Sequence, residues 1–267
     1  MKSSTNKLRN AFYRLLSNFN YAKTVQVGTK NLLDRELWLE DVLKRIPAGY
    51  RILDAGAGEL KYKKFCSHLS YVSQDFAQYD GKGNGRGLQT SKWDQTRLDI
   101  ASDITKIPEP DNSFDAVMCI EVLEHVPYPV DALHELARLL KPGGFLILTA
   151  PFCSLTHFAP FFYQTGYSRY FYEYWLGKYN FEILDMQHNG NYFEYLAQEI
   201  RRIPQMSSDY AKIQIGFNDH LVLKQMLYML NKLSKKGGKS SELLAFGIHV
   251  LAKKKPVPTN SQKMKEN

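Results

Sequence analysis

Cysteine is scarce in this chain, and no apolar run is long enough to cross a bilayer. Its 267 residues include three cysteines, Cys66, Cys119 and Cys153, which are far apart and form no C-x-x-C pair. Neither a disulfide framework nor a zinc site is therefore predicted. The sequence also lacks a stretch of about 20 apolar residues, as well as the small-residue cleavage site that marks a secretory signal. These absences lead us to expect a cytoplasmic protein.

Acidic residues are scarce at both ends of the chain, whose overall net charge is +8. Residues 1–30 contain six basic residues and no acid, and residues 232–267 contain nine lysines against two glutamates. The intervening residues 31–231 therefore carry a net charge of −5. Nucleic-acid enzymes usually have a basic stripe on the folded body, so a nucleic-acid partner is disfavoured. The basic ends are consistent with solvated tails, with an anionic substrate carrier, or with peripheral contact at the inner face of a membrane.

The chain also lacks the third glycine of a dinucleotide-binding turn. In Arg51–Glu59 a short apolar strand leads into two glycines, but Lys61 stands where G-x-G-x-x-G requires another glycine. The glycines allow the backbone to approach a ligand closely. Asp54 and Glu59 flank this turn, whereas a pyrophosphate favours a positive environment. The turn therefore predicts a nucleoside with an ammonium or sulfonium group and disfavours NAD.

Strand and helix patterns alternate along most of the chain. Strands are predicted near residues 51–54, 71–75, 97–100, 114–120 and 144–150, and helices near 31–46, 60–68 and 129–140. This order predicts the α/β class, with a mostly parallel sheet that has helices on both faces. Apolar residues at helical spacing within residues 8–19 predict an additional amphipathic helix. That helix would dock on the domain or lie on a membrane.

Two further acids follow predicted strands. Asp75 closes the second strand, 21 residues after Asp54, where a carboxylate can accept both ribose hydroxyls of a nucleoside. Asp103 follows the third strand, where it could accept a hydrogen bond from the exocyclic amine of adenine. Ordinary turn or cap acids are the alternative interpretation of both. The glycine turn and these acids together predict a nucleoside site at one edge of the sheet.

Several of these segments resemble the class I S-adenosylmethionine-dependent methyltransferases. The resemblance lies in residues 52–58, in Asp75 and Asp103, and in the segments 113–126 and 139–149. It implies a Rossmann-like, doubly wound sheet of seven strands with the last strand antiparallel, for which Phe181–Gln187 and Ala245–Ala252 would supply the final two. It also implies S-adenosyl-L-methionine as the cofactor.

The resemblance further divides the chain and assigns residues to the cofactor. A basic extension (1–30) would precede a methyltransferase domain (31–253) with an aromatic acceptor or lid insertion at about 152–180, and a basic tail (254–267) would follow. The cofactor-binding residues it implies are Asp54, Ala55, Gly56, Gly58, Asp75, Phe76, Asp103, Ile104, Ile120 and Glu121.

Two histidines are candidates for the base that a hydroxyl acceptor requires. Methyl transfer to oxygen must remove a proton, and histidine titrates near the working pH. His157, beyond the fifth strand, and His125, beyond the fourth, are expected near the mouth of the site. A structural role is the alternative for each. Because no tight carboxylate cluster follows the fourth strand, no metal site is predicted.

An aromatic segment after the fifth strand is the expected acceptor site. Tyr163, Tyr167, Arg169 and Tyr170 could stack on a ring and bind its hydroxyls, and packing of a helix is the alternative. The segment is similar to methyltransferases that modify glycans and surface polysaccharides. The function favoured is methyl transfer to a hydroxyl of a small molecule or glycan. N-methylation of a small molecule, RNA or protein and a non-catalytic partner subunit remain open.

Overall fold

Seven strands in one sheet form the framework of the chain. The computed structural model describes residues 25–256, so the predicted helix within residues 8–19 and most of the basic tail lie outside the described residues. The strands are β1 (Arg51–Ala55), β2 (Ser70–Asp75), β3 (Ile100–Ala101), β4 (Phe114–Ile120), β5 (Leu140–Pro151), β6 (Phe181–Asn189) and β7 (Gly247–Lys254). The helices are α1 (Asn31–Lys44), α2 (Pro129–Leu139), α3 (Arg169–Lys178), α4 (Tyr192–Met206) and α5 (Phe217–Ser234).

The order of the strands is that of a doubly wound sheet. It runs β3-β2-β1-β4-β5-β7-β6. The pairs from β3 to β5 are parallel, and β7 is antiparallel to both β5 and β6. The carboxyl ends of β1, β2 and β4 therefore meet at one edge, which is where ligands bind in such sheets. The predicted fold, including the antiparallel last strand, is confirmed.

Side chains of the central strands alternate between two cores. Val117 and Cys119 of β4 contribute to a buried cluster with α2 and α3, whereas Ala116 and Met118 contribute to a cluster with α1 on the other face. Successive residues of a strand point to opposite faces of the sheet, so an apolar strand of this kind needs a cover on each side. The helices on both faces supply that cover.

The prediction of a helix near residues 60–68 is wrong. This segment consists of turns and one 3-10 turn, Lys63–Phe65. Leu60 has a positive φ of 62°, which an α-helix does not accommodate. The strand predicted near residues 97–100 is also shorter than expected, because only Ile100 and Ala101 pair with β2.

The described chain divides into two compact units. The sheet belongs to the unit that combines residues 31–192 with the chain from Lys239 onward. The smaller unit combines residues 25–30 with 193–238, and its apolar centre contains Val27, Ala197 and Leu230. Within this unit Arg201 donates to the carbonyls of Val25 and Val27. Among residues 25–256, no helix combines the length and the apolar character needed to cross a membrane.

Candidate functional site

A cavity of about 690 Å³ opens at the carboxyl edge of the sheet. Its volume falls within the range of about 300–1,000 Å³ that is usual for small-molecule sites. Nine residues predicted from the sequence line it, and they are Gly56, Gly58, Asp75, Phe76, Asp103, Ile104, Ile120, Glu121 and His125. The structure therefore brings most of the predicted cofactor residues to one place.

The glycine turn after β1 is held against the end of β2. The amides of Gly56 and Ala57 both donate to the carbonyl of Gln74, each at 2.8 Å. Gly56 has a φ of +80°, and a Cβ added there would lie 2.4 Å from the side chain of Val122. Glycine is therefore required at this position by both the dihedral and the space.

Asp75 connects the turn to the second strand. Its carboxylate accepts hydrogen bonds from the amide of Gly58 at 2.9 Å and the amide of Ala77 at 3.0 Å. The side chain of Gln95 also donates to it, at 2.9 Å. Burial raises the pKa of Asp75, and the hydrogen bonds oppose that rise. The result is an acceptor with a fixed direction at the cavity wall.

Asp54 and Ala55 are buried in the sheet and are not among the described residues that line the cavity. The carboxylate of Asp54 accepts a hydrogen bond of 2.6 Å from the hydroxyl of Tyr71. Burial raises the pKa of Asp54 to about 7, and the hydrogen bond from Tyr71 lowers it in part. The position of Asp54 thus supports the base of the turn, and its contact with a ligand ammonium stays a prediction.

Arg35 enters the cavity from α1, which the sequence did not indicate. Its guanidinium forms an ion pair with Glu121, and the same carboxylate accepts a hydrogen bond of 2.8 Å from Thr149. Burial acts to lower the pKa of Arg35, but the charges of Glu121, Tyr62 and Glu124 and the hydrogen bond with Glu121 together outweigh it, so the pKa is raised. The Nε atom of Arg35 is buried without a hydrogen-bond partner. A single arginine on a helix has no motif that would reveal this role.

Aromatic rings form one wall of the cavity. Tyr79 stacks on Phe158 with ring centroids 4.7 Å apart, and Trp93 meets Phe158 edge-on at 5.4 Å. Phe76 and Phe161 form a further edge-to-face pair at 4.9 Å. Such faces provide apolar contact for planar rings. Phe158 and Phe161 come from the segment expected to bind the acceptor, whereas Tyr79 and Trp93 were missed because their loop shows no periodic pattern.

Charges of both signs line the cavity. The acids are Glu59, Asp75, Asp103 and Glu121, and the cations are Arg35, Lys61 and Arg97. Four carboxylates against three cations give a net charge of −1 when the histidine is neutral. A zwitterion with one additional positive charge is the kind of ligand that this balance favours.

His125 and His157 lie together beside a buried acid. Their rings meet edge-on with centroids 4.6 Å apart. The Oε1 atom of Glu124 lies 3.7 Å from Nε2 of His125 and 3.9 Å from Nε2 of His157. Burial, followed by His157, lowers the pKa of His125 to about 4, and burial raises the pKa of Glu124 well above its usual value. His125 lines the cavity, whereas His157 is not among the described residues that line it.

The four residues expected to bind the acceptor are not among the described residues that line the cavity. Tyr167 is buried in the core, and its hydroxyl donates to the carbonyl of Leu123 at 2.7 Å. Arg169 forms ion pairs with Glu173 and Glu242. The side chains of Tyr163 and Tyr170 are exposed. Tyr167 is consequently a core residue, which is the packing alternative that the sequence left open.

Comparison with known proteins finds methyltransferases among the similar sequences. Residues 53–148 match the family described as "Methyltransferase domain". A "Ubiquinone biosynthesis O-methyltransferase" of Xanthomonas oryzae pv. oryzae is 38% identical over 105 residues, which cover 38% of this chain and 43% of that protein. A "Ubiquinone/menaquinone biosynthesis C-methyltransferase UbiE" of Pseudomonas fluorescens is 29% identical over 148 residues, which cover 53% of this chain and 57% of that protein. The chain thus spans about half the length of the curated relatives it matches.

Two solved structures share the fold. One, described as the [4+2]-cyclase SpnF, has a TM-score of 0.51 at 18% identity and covers 89% of this chain and 86% of its own. The other, a SAM dependent methyltransferase from Archaeoglobus fulgidus, has a TM-score of 0.51 at 14% identity and covers 89% and 99%. At such identities the likeness concerns the fold alone. The family match is therefore confined to residues 53–148, which lie in a sheet of the Rossmann-like methyltransferase fold.

Proposed function

We propose that this protein transfers a methyl group from S-adenosyl-L-methionine to a hydroxyl of a small molecule or glycan. The observation that carries the proposal is the cavity itself. It brings the glycine turn at Gly56, the end-of-strand acid Asp75 and the loop acid Asp103 together at the carboxyl edge of the sheet. Its net charge also suits a ligand that has an ammonium, a carboxylate and a sulfonium.

The residues at the cavity suit the parts of this cofactor. The Asp75 carboxylate suits the ribose hydroxyls, and Asp103 with Ile104 suits the adenine edge. Arg35 suits the carboxylate of the methionine part, because a guanidinium matches a carboxylate in shape and charge. Glu121 suits the ammonium. These assignments follow from the chemistry of the side chains at the cavity wall.

A hydroxyl acceptor is favoured by the names of the relatives and by the aromatic wall. One relative is named an O-methyltransferase, and another is named a C-methyltransferase, so a carbon acceptor on a ring is the nearest alternative. Phe158 and Phe161 give the cavity apolar faces on which a phenolic ring or a sugar ring can pack.

Methyl transfer places modest chemical demands on the protein. The sulfonium is already activated, so the cavity must align the donor methyl with the acceptor oxygen, and alignment of this kind contributes up to about 7–11 kcal/mol. Removal of the hydroxyl proton is the remaining requirement. The roles of His125 and His157 as bases stay predictions.

Calorimetry with S-adenosylmethionine and S-adenosylhomocysteine tests the cofactor. We expect both to bind, and Asp75→Ala to weaken binding by at least about tenfold, since a hydrogen bond to a charged group contributes about 1.5–3 kcal/mol. Asp41→Ala is the matched control, because Asp41 is an exposed acid on α1 that pairs with Arg45. Binding of NADH in place of the sulfonium nucleoside, or equal binding by the Asp75 and Asp41 variants, would contradict the proposal.

A non-methylating role is the second candidate. The solved structure of the same fold that is described as a cyclase shows that this architecture occurs in proteins named for other chemistry. The two candidates differ in product, because only methyl transfer consumes the donor. Incubation with phenolic, catecholic and sugar acceptors should release S-adenosylhomocysteine. Tight cofactor binding with no release across such a panel would favour the non-methylating role.

A further inference from the structure

Buried polar atoms without partners converge at the 3-10 turn Leu123–His125. The side chain of Glu124 is fully buried, and neither of its carboxylate oxygens has a hydrogen-bond partner. The Nε2 atom of His125 is also buried without one. Leaving a buried polar group unpaired costs about 1–3 kcal/mol, and more for a charged group. A cation bound between these three atoms would remove that cost.

The two histidines present lone pairs to the carboxylate. Nδ1 of His125 lies 2.6 Å from the carbonyl oxygen of Phe161, and Nδ1 of His157 lies 2.8 Å from that of Leu155. A carbonyl accepts only, so each Nδ1 carries the proton and each Nε2 is an acceptor. This is the arrangement of histidine ligands in metal sites, where the other ring nitrogen donates to a backbone carbonyl.

A shared proton does not account for the distances between the Glu124 carboxylate and the two histidine rings. Both histidine nitrogens lie 3.7–3.9 Å from Oε1 of Glu124, which exceeds the hydrogen-bond distance of about 2.7–3.2 Å. Ligand atoms of a tetrahedral metal with bonds of about 2.0–2.1 Å lie roughly 3.3–3.4 Å apart. One ligand atom from each of the three residues lies within 4.8 Å of the others, so small rotations close a metal shell.

The backbone holds His157 in place from a neighbouring loop. The amide of Leu88 donates to Thr156 at 3.0 Å, and the amide of Phe158 donates to Leu88 at 3.0 Å. A Cβ at Gly87 would lie 2.5 Å from the carbonyl oxygen of Thr156, so the loop approaches closely only because this residue is glycine. The loop that contains Gly87 and Leu88 thus supports the cluster.

We propose that Glu124, His125 and His157 bind a divalent transition metal ion of the Zn²⁺ class. Two imidazoles and one carboxylate form a donor set that suits zinc, and a catalytic zinc site of this type leaves a fourth position open. Magnesium prefers oxygen ligands in octahedral geometry, and it is the poorer fit.

The place of the cluster assigns a role to the metal, and this part rests on the proposed function. His125 lines the cavity, so the open position faces the acceptor. An acceptor hydroxyl bound there loses its proton to bulk water, because a bound cation lowers the pKa of the oxygen. The oxygen–methyl bond then forms as the sulfur–methyl bond breaks, and S-adenosylhomocysteine leaves. The metal thereby replaces the histidine base predicted from the sequence.

Metal content of the tag-free, full-length protein tests the site. After removal of metal with EDTA, the protein is dialysed against Zn²⁺ and analysed for zinc, and a Co²⁺ sample is examined by visible absorption. We expect one zinc ion per chain and the absorption bands of tetrahedral cobalt in the wild type. Glu124→Gln and His157→Ala should each lower zinc affinity at least about tenfold, because each removes a ligand from the site. Excess Mg²⁺ should not displace zinc.

His220→Ala is the matched control, because His220 is an exposed histidine of α5, and it should bind zinc like the wild type. Circular dichroism identifies any variant that does not fold. If Glu124→Gln does not fold, the result for His157→Ala tests the proposal, since His157 is partly exposed. A wild type that binds no more zinc than His157→Ala overturns the proposal, and displacement by Mg²⁺ overturns the choice of metal class. Calorimetry with S-adenosylmethionine on the same samples separates this failure from failure of the proposed function, because His157→Ala should bind the cofactor normally.

Discussion

At the residue scale, the cavity depends on residues of two kinds. Gly56 and Asp75 act through local geometry, since a dihedral and a strand end determine what each can do. Arg35 acts through its distant position, because α1 carries it into the cavity beside Glu121. The first kind is visible in the sequence, whereas the second is not.

Gly56→Ala should destabilise the protein and weaken cofactor binding. A side chain at its φ of +80° is strained, and the new Cβ would press on Val122 at 2.4 Å. We expect a loss of about 2–4 kcal/mol in the free energy of unfolding, measured with urea.

Gly49→Ala is the matched control for that substitution. Gly49 has almost the same φ, +81°, but nothing lies within 4 Å of its added Cβ. Gly49→Ala should lower the free energy of unfolding only by the cost of the strained dihedral, about 1 kcal/mol, and should bind the cofactor like the wild type. Equal losses in the two variants would show that contact with Val122 does not matter.

At the element scale, apolar periodicity succeeded for most strands of the sheet and failed at residues 60–68. The predicted strands β1, β2, β4 and β5 are confirmed with small shifts of their ends. The helix near residues 60–68 failed because the segment contains the positive φ of Leu60. The backbone of a short loop near a ligand site is determined by the geometry of the site, which helix propensity does not describe.

A buried histidine of β7 should make stability depend on pH. Burial, with a smaller contribution from Arg35, lowers the pKa of His249 to about 4, and the charges of Glu121 and Asp185 oppose this shift. In the unfolded chain this histidine has a pKa of about 6.5, so below that pH the unfolded chain binds a proton that the folded chain does not bind. The contribution of His249 to the free energy of unfolding is therefore complete above about pH 6.5. It decreases by about 3 kcal/mol as the pH falls toward 4.

Urea unfolding of the wild type and His249→Gln at neutral pH and near pH 4.5 checks this. The variant should lose less stability on acidification, because it lacks the titrating ring next to Trp38. His220→Gln on α5 provides the control and should follow the wild type. An identical loss in His249→Gln and the wild type would assign the pH dependence to other groups.

At the scale of the whole molecule, the charge is segregated along the chain. Residues 1–30 contain six basic residues and no acid, while residues 31–231 have a net charge of −5. Like charges concentrated in one segment attract an anionic surface without any fixed structure, at about 1 kcal/mol per basic residue near the surface. Peripheral membrane contact through the N-terminal segment is therefore a proposal that charge alone can support.

Vesicle flotation tests this contact. The full chain should float with vesicles that contain anionic lipid, and removal of residues 1–22, which include four basic residues, should reduce flotation. Added salt should also reduce it, because salt screens exposed charges. Vesicles of neutral lipid are the control, and equal flotation with neutral and anionic vesicles would contradict the proposal.

The sequence by itself determined the positions of most parallel strands along the chain, the glycine turn and the acid at the end of β2. These features depend on apolar periodicity and on backbone chemistry within a few residues, so they can be read locally. Only the tertiary structure brought Arg35 into the cavity, moved Tyr167 into the core, and placed His157 beside Glu124. Each of these depends on packing between segments that are distant in the chain, and the side chains themselves carry no sign of which segment they will meet.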